Sequence, residues 1–233
     1  MVNSFLESCF QFCHQIKTKI VGHARAIDLV YNLIRRGSDL IEKDLFHLHK
    51  TVHTERGADV YKPVGGWKIE PNSTVIVSGN TQIIFEYAPP KDVPELMQNW
   101  LSLFQKTCRE NAANKENALA AYVCLHVSFL RIHPFWDGNG RMARLIANIP
   151  VIRAGYPPII IPKERRQEYI EALSEYHLAV GTVTAWSELL PEVDKLDRFK
   201  RFCAESWSES IKLVDNARRK QQERNQQKNK DIE

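Results

Sequence analysis

A single short run in this 233-residue chain gathers groups that could act on a phosphorylated ligand: His133-Pro134-Phe135-Trp136-Asp137-Gly138-Asn139-Gly140-Arg141-Met142-Ala143-Arg144. His133 is the one side chain in the run whose charge changes near neutral pH, so it can accept a proton from an attacking hydroxyl. Pro134, Gly138 and Gly140 stop a preceding helix and permit backbone angles that turn the loop's amides inward. Successive inward amides, together with the positive end of a helix starting near Arg141, make a seat for phosphate oxygens. Arg141 and Arg144 share a face of that helix's first turn, where cations oppose the helix dipole; an anion bound there would offset the cost. Asp137 adds a hard oxygen beside the same phosphates, suited to a Mg²⁺ that keeps most of its waters. Phe135 is read as the loop's apolar anchor. Each residue alone has an ordinary explanation as turn or solvated surface. Their convergence on one loop points to chemistry on an anionic ligand.

Such a loop needs two helices to hold it. From about Asn117 to Ile132 the residues Leu119, Val123, His126 and Leu130 fall on one face, with Ala118, Ala120 and Ala121 allowing close approach of a neighbour, as in a central buried helix. After the loop, Arg141 to Ala154 reads as one helix ended by Gly155 and Pro157-Pro158. Core-facing stripes also appear at Ile27, Val30 and Ile34, at Ile41, Leu45 and Leu48 after a cap at Ser38, and at Met97, Trp100, Leu101 and Phe104 after Pro94. Further helices are expected near Lys163 to His177, Thr184 to Leu189 and Glu192 to about Lys220. One region reads as strand: Thr74, Val75, Ile76 and Val77 run into Ser78-Gly79-Asn80, and Thr81 to Tyr87 follow, as a hairpin with a Gly-Asn turn. Its free edge is either plain structure or a place for an extended segment of another chain to pair.

The run is similar to the Fic family signature, His-x-Phe-x-Asp/Glu-Gly-Asn-Gly-Arg-x-x-Arg, at every specified position. The likeness extends over about residues 20 to 190: His126 seven residues before His133, Gly57, Tyr61 and Lys62 ahead of the hairpin, Pro89-Pro90 after it, and Tyr156-Pro157, Tyr169 and Leu173 beyond the motif. The resemblance implies an all-α, Fic-type helical bundle with one β-hairpin flap over the active site. The chain then divides into an N-terminal helical extension (1–19), a Fic domain (20–190), a C-terminal helix (191–220) and a polar basic tail (221–233) expected to be disordered, as a fraying helix end or solvated extension. It also implies a protein adenylyltransferase, moving AMP from ATP to a Ser, Thr or Tyr hydroxyl of a target protein. In that reading His133 is the base and Asp137 holds Mg²⁺. Gly138, Asn139, Gly140 and Arg141 steady the phosphates, Arg144 reaches the γ-phosphate, and Thr74, Val75, Ile76, Val77, Ser78 and Gly79 form the target-positioning flap. Glycine at both 138 and 140 favours a nucleotide donor over phosphocholine or phosphate transfer, with UTP or GTP remaining as alternatives to ATP. Tyr169 is a weak candidate for the adenine pocket, and His126 is expected to be a hydrogen-bonded core histidine.

The segment Lys17-Thr18-Lys19-Ile20-Val21-Gly22 is similar to the family's inhibitory helix, with Lys17 in place of Ser/Thr and Val21 in place of the glutamate. It is read as a degenerate copy. Two other readings stay open: the toxin half of a toxin and antitoxin pair, and a silent module that keeps the loop for binding. An antitoxin chain or a second copy of the chain remain candidate partners.

Composition limits the field further. With 43% apolar residues the chain can bury a full core, and no apolar run approaches the ~18 residues of a membrane span. Without a signal-peptide pattern the protein is expected to be cytosolic, delivery into a host cell remaining open. Five cysteines without paired Cys-x-x-Cys spacing are expected to be reduced; Cys9 and Cys13, on one helical face, are read as small buried apolar groups. The net charge is +4, and three of those charges come from residues 217–233, where six basic residues meet three acidic ones. A nearly neutral body argues against a nucleic-acid groove, leaving only weak attraction through the tail.

Overall fold

The computed structural model describes residues 22–53, 62–78, 80–110 and 114–230. Gly57, Tyr61, Gly79 and the Lys17–Val21 segment, like Cys9 and Cys13, lie outside the described residues. In chain order the elements are α1 (22–36), α2 (Glu42–Val52), β1 (Ser73–Ser78), β2 (Thr81–Glu86), α3 (Val93–Glu110), α4 (Lys115–Ile132), α5 (Asn139–Ile146), α6 (Asn148–Arg153), α7 (Arg166–Val180) and α8 (Lys195–Lys230). The architecture is helical with one antiparallel hairpin, in the register Ser73 opposite Glu86 through Ser78 opposite Thr81. Among the described residues no helix is long and apolar enough to cross a membrane.

Helix α4 is the axis. Its twelve buried residues, from Ala118 to Ile132, face neighbours on nearly all sides, and α3, α5, α6 and α8 pack on it. Asn114 starts it by accepting the Asn117 amide at 2.8 Å, satisfying one of the helix's orphan donors. Trp100 of α3 locks against it, with Nε1 within 3.0 Å of Ser128 Oγ and 3.2 Å of the Leu125 carbonyl. The buried Arg131 near its end donates to the carbonyls of Glu188, Leu189 and Gly181, tying down the loop after α7. Phe199, Phe202 and Trp207 bring α8 into the same core.

Several boundaries differ from those the sequence suggests. The stretch after the motif is two helices, α5 and α6, broken at Ala147 near Pro150, which has no amide to continue the first ladder. Residues 184–189 form a turn, with Thr184 accepting and donating at Ser187 in place of a helical ladder. Ser38 does not cap α2; Ile41 occupies that position and Asp44 folds back to accept its amide at 3.2 Å. Helix α8 runs on to Lys230, beyond the expected end near 220 and through most of the tail expected to be disordered, because its Gln-, Arg- and Lys-rich sequence has good helix propensity. Ile27 and Ile41, read as core, are largely exposed.

Candidate active site

The loop between α4 and α5 forms the floor of a cavity of about 570 Å³, bordered by β1 on one side and α7 on the other. Its wall includes His133, Asp137, Gly138, Asn139, Gly140, Arg141 and Arg144 from the motif, and Thr74 and Val75 from the hairpin. Ile76, buried, supports the hairpin from beneath, while Val77 is exposed beyond the cavity wall.

His133 closes α4 in the left-handed conformation (φ 51°), the one non-glycine residue with positive φ among those described. Such a residue costs on the order of 1–2 kcal/mol and persists only where its surroundings hold it. They do so here. The ring stacks on Tyr87 with centroids 3.7 Å apart, and Nδ1 lies 3.3 Å from the Leu130 carbonyl. With the proton on Nδ1 for that contact, Nε2 carries the lone pair. Enclosure by the surrounding groups, followed by the charge of Lys68, pushes its pKa down to about 3. The imidazole is therefore neutral at physiological pH.

Past His133 the chain turns about Phe135, which is fully buried as its type suggested. Asn139 departs from its expected role on the phosphates: its Oδ1 accepts the Phe135 amide at 2.9 Å and its Nδ2 donates to the Phe135 carbonyl at 2.7 Å. The side chain braces the loop from within, and only the residue's outer edge borders the cavity. Gly138, at φ 82°, caps α5. A Cβ there would overlap the imidazole of His53, so glycine is required on two counts. The first bond of α5 runs from the Met142 amide to the Gly138 carbonyl, leaving the amides of Asn139 and Gly140 without helical acceptors. These are the donors that an anion could use, whereas the Gly138 amide is held by Asp137 Oδ1 at 2.6 Å. Arg141 lies in the first turn, with Asp137 Oδ2 at 3.7 Å, His53 Nε2 at 3.3 Å and the Val52 carbonyl at 3.3 Å. Arg144 lies a turn further on, in α5's last turn, its guanidinium over the Tyr169 ring.

Asp137 is the cavity's single acidic residue, and no cluster of three or more metal-type side chains occurs among the described residues. A lone half-exposed carboxylate does not make a metal cage. It fits the way Mg²⁺ is held by one protein oxygen, waters and the phosphates of a nucleotide.

Other positioning groups come from distant elements. His49 of α2 stacks flat on Phe135 at 3.9 Å, its Nε2 donates to the Asp137 carbonyl at 3.0 Å, and its Nδ1 accepts the Gly65 amide. Burial lowers its pKa to about 4. Its place on the apolar face of α2, four residues before His53, was the available signal. Lys62 sits over the Trp136 ring. From α7, Arg166, Tyr169, Ile170, Leu173, Ser174 and His177 form the far wall. Tyr169 is buried and bonded to His126 Nε2 at 2.9 Å, so both are structural aromatics of the core. His177 is buried against Phe85, and its Nε2 has no hydrogen-bond partner in the described structure.

A helical bundle with this loop and hairpin defines a fold class that comparison with known proteins identifies. The Fic/DOC family profile matches residues 39–150. A Fic-domain signaling protein from Bacteroides thetaiotaomicron superposes with a TM-score of 0.71 at 25% identity, over 84% of this chain and 70% of that one. Fic-1 from C. elegans shares the fold with a TM-score of 0.62 at 22% identity, over 88% of this chain and 52% of that one. The protein adenylyltransferase Fic of Drosophila yakuba is 31% identical over 157 residues, 66% of this chain and 28% of the fly protein. That of Drosophila mojavensis is 34% identical over 133 residues, 56% of this chain and 23% of its own. Residues 39–150 of the chain form a Fic/DOC domain. The chain spans less than a third of the length of these curated relatives.

Proposed function

We propose that this chain transfers AMP from ATP to a Ser, Thr or Tyr hydroxyl of a target protein, with His133 as the general base. The observation that carries the proposal is His133 itself: a neutral imidazole, oriented by Leu130 and Tyr87, on the wall of a cavity that also presents the start of α5 and two arginines. Nε2 takes the proton as the hydroxyl oxygen attacks the α-phosphorus in line. The bond from that phosphorus to its bridging oxygen breaks, and pyrophosphate leaves. The amides of Asn139 and Gly140, with the Arg141 and Arg144 guanidiniums, hold the phosphate charge in place. Asp137, together with the phosphates, would hold a Mg²⁺, which would supply further neutralisation of that charge.

The hairpin gives the target its place. Thr74 and Val75 border the cavity, Val75 and Val77 are exposed, and an extended target segment can add its backbone to the β1 edge. The names of the fly relatives support the same chemistry. The test is incubation of purified protein with Mg²⁺ and α-labelled or γ-labelled ATP in cell lysate, with unlabelled UTP and GTP as competitors. Label is expected on protein from the α position alone and to fall at least about 100-fold in His133→Ala. Label from the γ position, or an undiminished signal in the variant, would overturn the proposal.

A further inference from the structure

The segment from Gly65 to Asn72 straps the catalytic loop along its backbone. The Lys68 amide donates to the Pro134 carbonyl at 2.9 Å, and the Asn72 amide side chain donates to the Phe135 carbonyl at 3.1 Å. Lys68 Nζ donates to Asn72 Oδ1 at 2.6 Å and reaches the Ile132 carbonyl at 3.4 Å. Three carbonyls flanking His133 are thus held by two residues of one strap. Lys68 is only 2% exposed, and no carboxylate pairs with it among the described residues. Burying an ammonium without a counter-ion is costly, and a methionine would fill the same volume without that cost. A fold that needed only the stem would have no use for the charge.

We propose that Lys68 is a positioning residue for the transfer reaction: it ties the Ile132 carbonyl and, through Asn72, the Phe135 carbonyl, so that the backbone on both sides of His133 is held in the geometry the base needs. The role rests on the adenylyl-transfer reading of the site. The chain of contacts explains how His133 is kept in its left-handed conformation, since the peptide groups on either side are anchored independently of its ring. The charges that face His133 are Lys68 from the strap, His177 from α7 and Asp137 from the loop, with the phenol of Tyr87 stacked above. Among the described residues the hydrogen-bond partners of Lys68 Nζ are the polar neutral groups of Asn72 and Ile132. Burial lowers its pKa to about 7, so its charge is present in the acid range where His133 would otherwise take up a proton.

Lys68→Met and Lys68→Arg variants of the full chain test the role by two readouts. In transfer assays Lys68→Met should lower kcat by about 10–100-fold with KM for ATP nearly unchanged, as expected for a misplaced base, and Lys68→Arg should recover part of the rate. By NMR without nucleotide, the His133 resonance, identified by its loss in His133→Ala, should titrate at higher pH in Lys68→Met and remain low in Lys68→Arg. The acid limb of kcat should move with it. Unchanged kcat and unchanged titration in Lys68→Met would overturn the proposal, as would equal losses in both variants with no movement of the titration. If Lys68→Met does not fold, Asn72→Ala, which breaks the tie but keeps the charge, should lower kcat without moving the titration; a wild-type kcat there overturns it. The NMR readout needs no turnover, so failure of the transfer reading, seen as no His133-dependent labelling by the wild type, is distinguished from failure of the role of Lys68.

Discussion

At Gly138 the backbone stands at φ 82° and the space above it is filled by His53, so the loop can change little there. Gly138→Ala should destabilise the protein by about 1–2 kcal/mol and lower transfer, because relief of the clash shifts either His53 or the α5 amides. A urea titration alongside the transfer assay reads both; wild-type stability would mean that His53 moves aside freely. His177 is the opposite case, a buried ring on the cavity wall with an unsatisfied nitrogen. His177→Leu removes a desolvated polar atom and should leave stability equal or higher. If Nε2 bonds the nucleotide, KM for ATP rises by up to about tenfold with kcat retained, a separation that thermal melts and steady-state kinetics resolve. That His133, Asp137, Gly138, Gly140, Arg141 and Arg144 line one cavity was legible in the sequence because one continuous loop carries them. His49, Lys68, Arg166 and His177 were not, since their chemistry depends on elements that meet only after folding. Asn139 was legible as a motif residue, but that its side chain turns inward is a matter of loop geometry that spacing does not encode.

Arg131 acts between elements: it belongs to α4, yet its bonds go to three carbonyls of the segment between α7 and α8. Arg131→Leu keeps the apolar stem but leaves those buried acceptors unmet, with an expected loss of about 3 kcal/mol. The midpoint of urea denaturation reports it, and a loss under about 1 kcal/mol would show that water replaces the guanidinium. Helix α8 is divided by environment. Phe199, Phe202, Cys203 and Trp207 are buried, whereas every residue from Asp215 to Gln226 is exposed. Deleting residues 217–233 should therefore shift Tm by no more than about 2 °C and leave transfer intact; a larger drop would reveal a structural role for the distal half. Helix α4 and the hairpin were legible because period-3.6 and strand-rich patterns are strong over their lengths. The α5–α6 break and the 181–190 loop were not: both carry apolar residues at helical spacing, and the outcome there is decided by Pro150 and by Arg131's claim on the loop carbonyls.

Taken as a whole, the molecule holds several buried or enclosed histidines in their neutral form. Burial lowers the pKa of His49 to about 4 and of His133 and His177 to about 3, and holds His126 well below its ordinary value. An unfolded chain would take up a proton at each near pH 6.5. Between that pH and the lowered native values the unfolded state binds more protons, so stability rises with pH through this window and is lost as pH falls. It is fully present above about pH 7. At pH 5 each such histidine costs on the order of 1–2 kcal/mol, and together they weigh against the ~5–15 kcal/mol that holds a typical domain folded. Most carboxylates remain ionised at that pH, so the loss between pH 7 and 5 is assigned to imidazole. Tm should already fall modestly from pH 8 to 7, where the unfolded chain holds the Lys68 proton that burial makes the fold release, and fall more steeply from 6.5 to 5, with close to four protons taken up by histidines on unfolding at pH 5, measured by calorimetry in buffers of different ionisation enthalpy. Phenylalanine at 177 should remove about one of those protons and flatten the fall. A Tm that stays level down to pH 5 would mean that the histidines open to water before the fold does, and that His133 is less enclosed in solution than its place beneath Tyr87 implies.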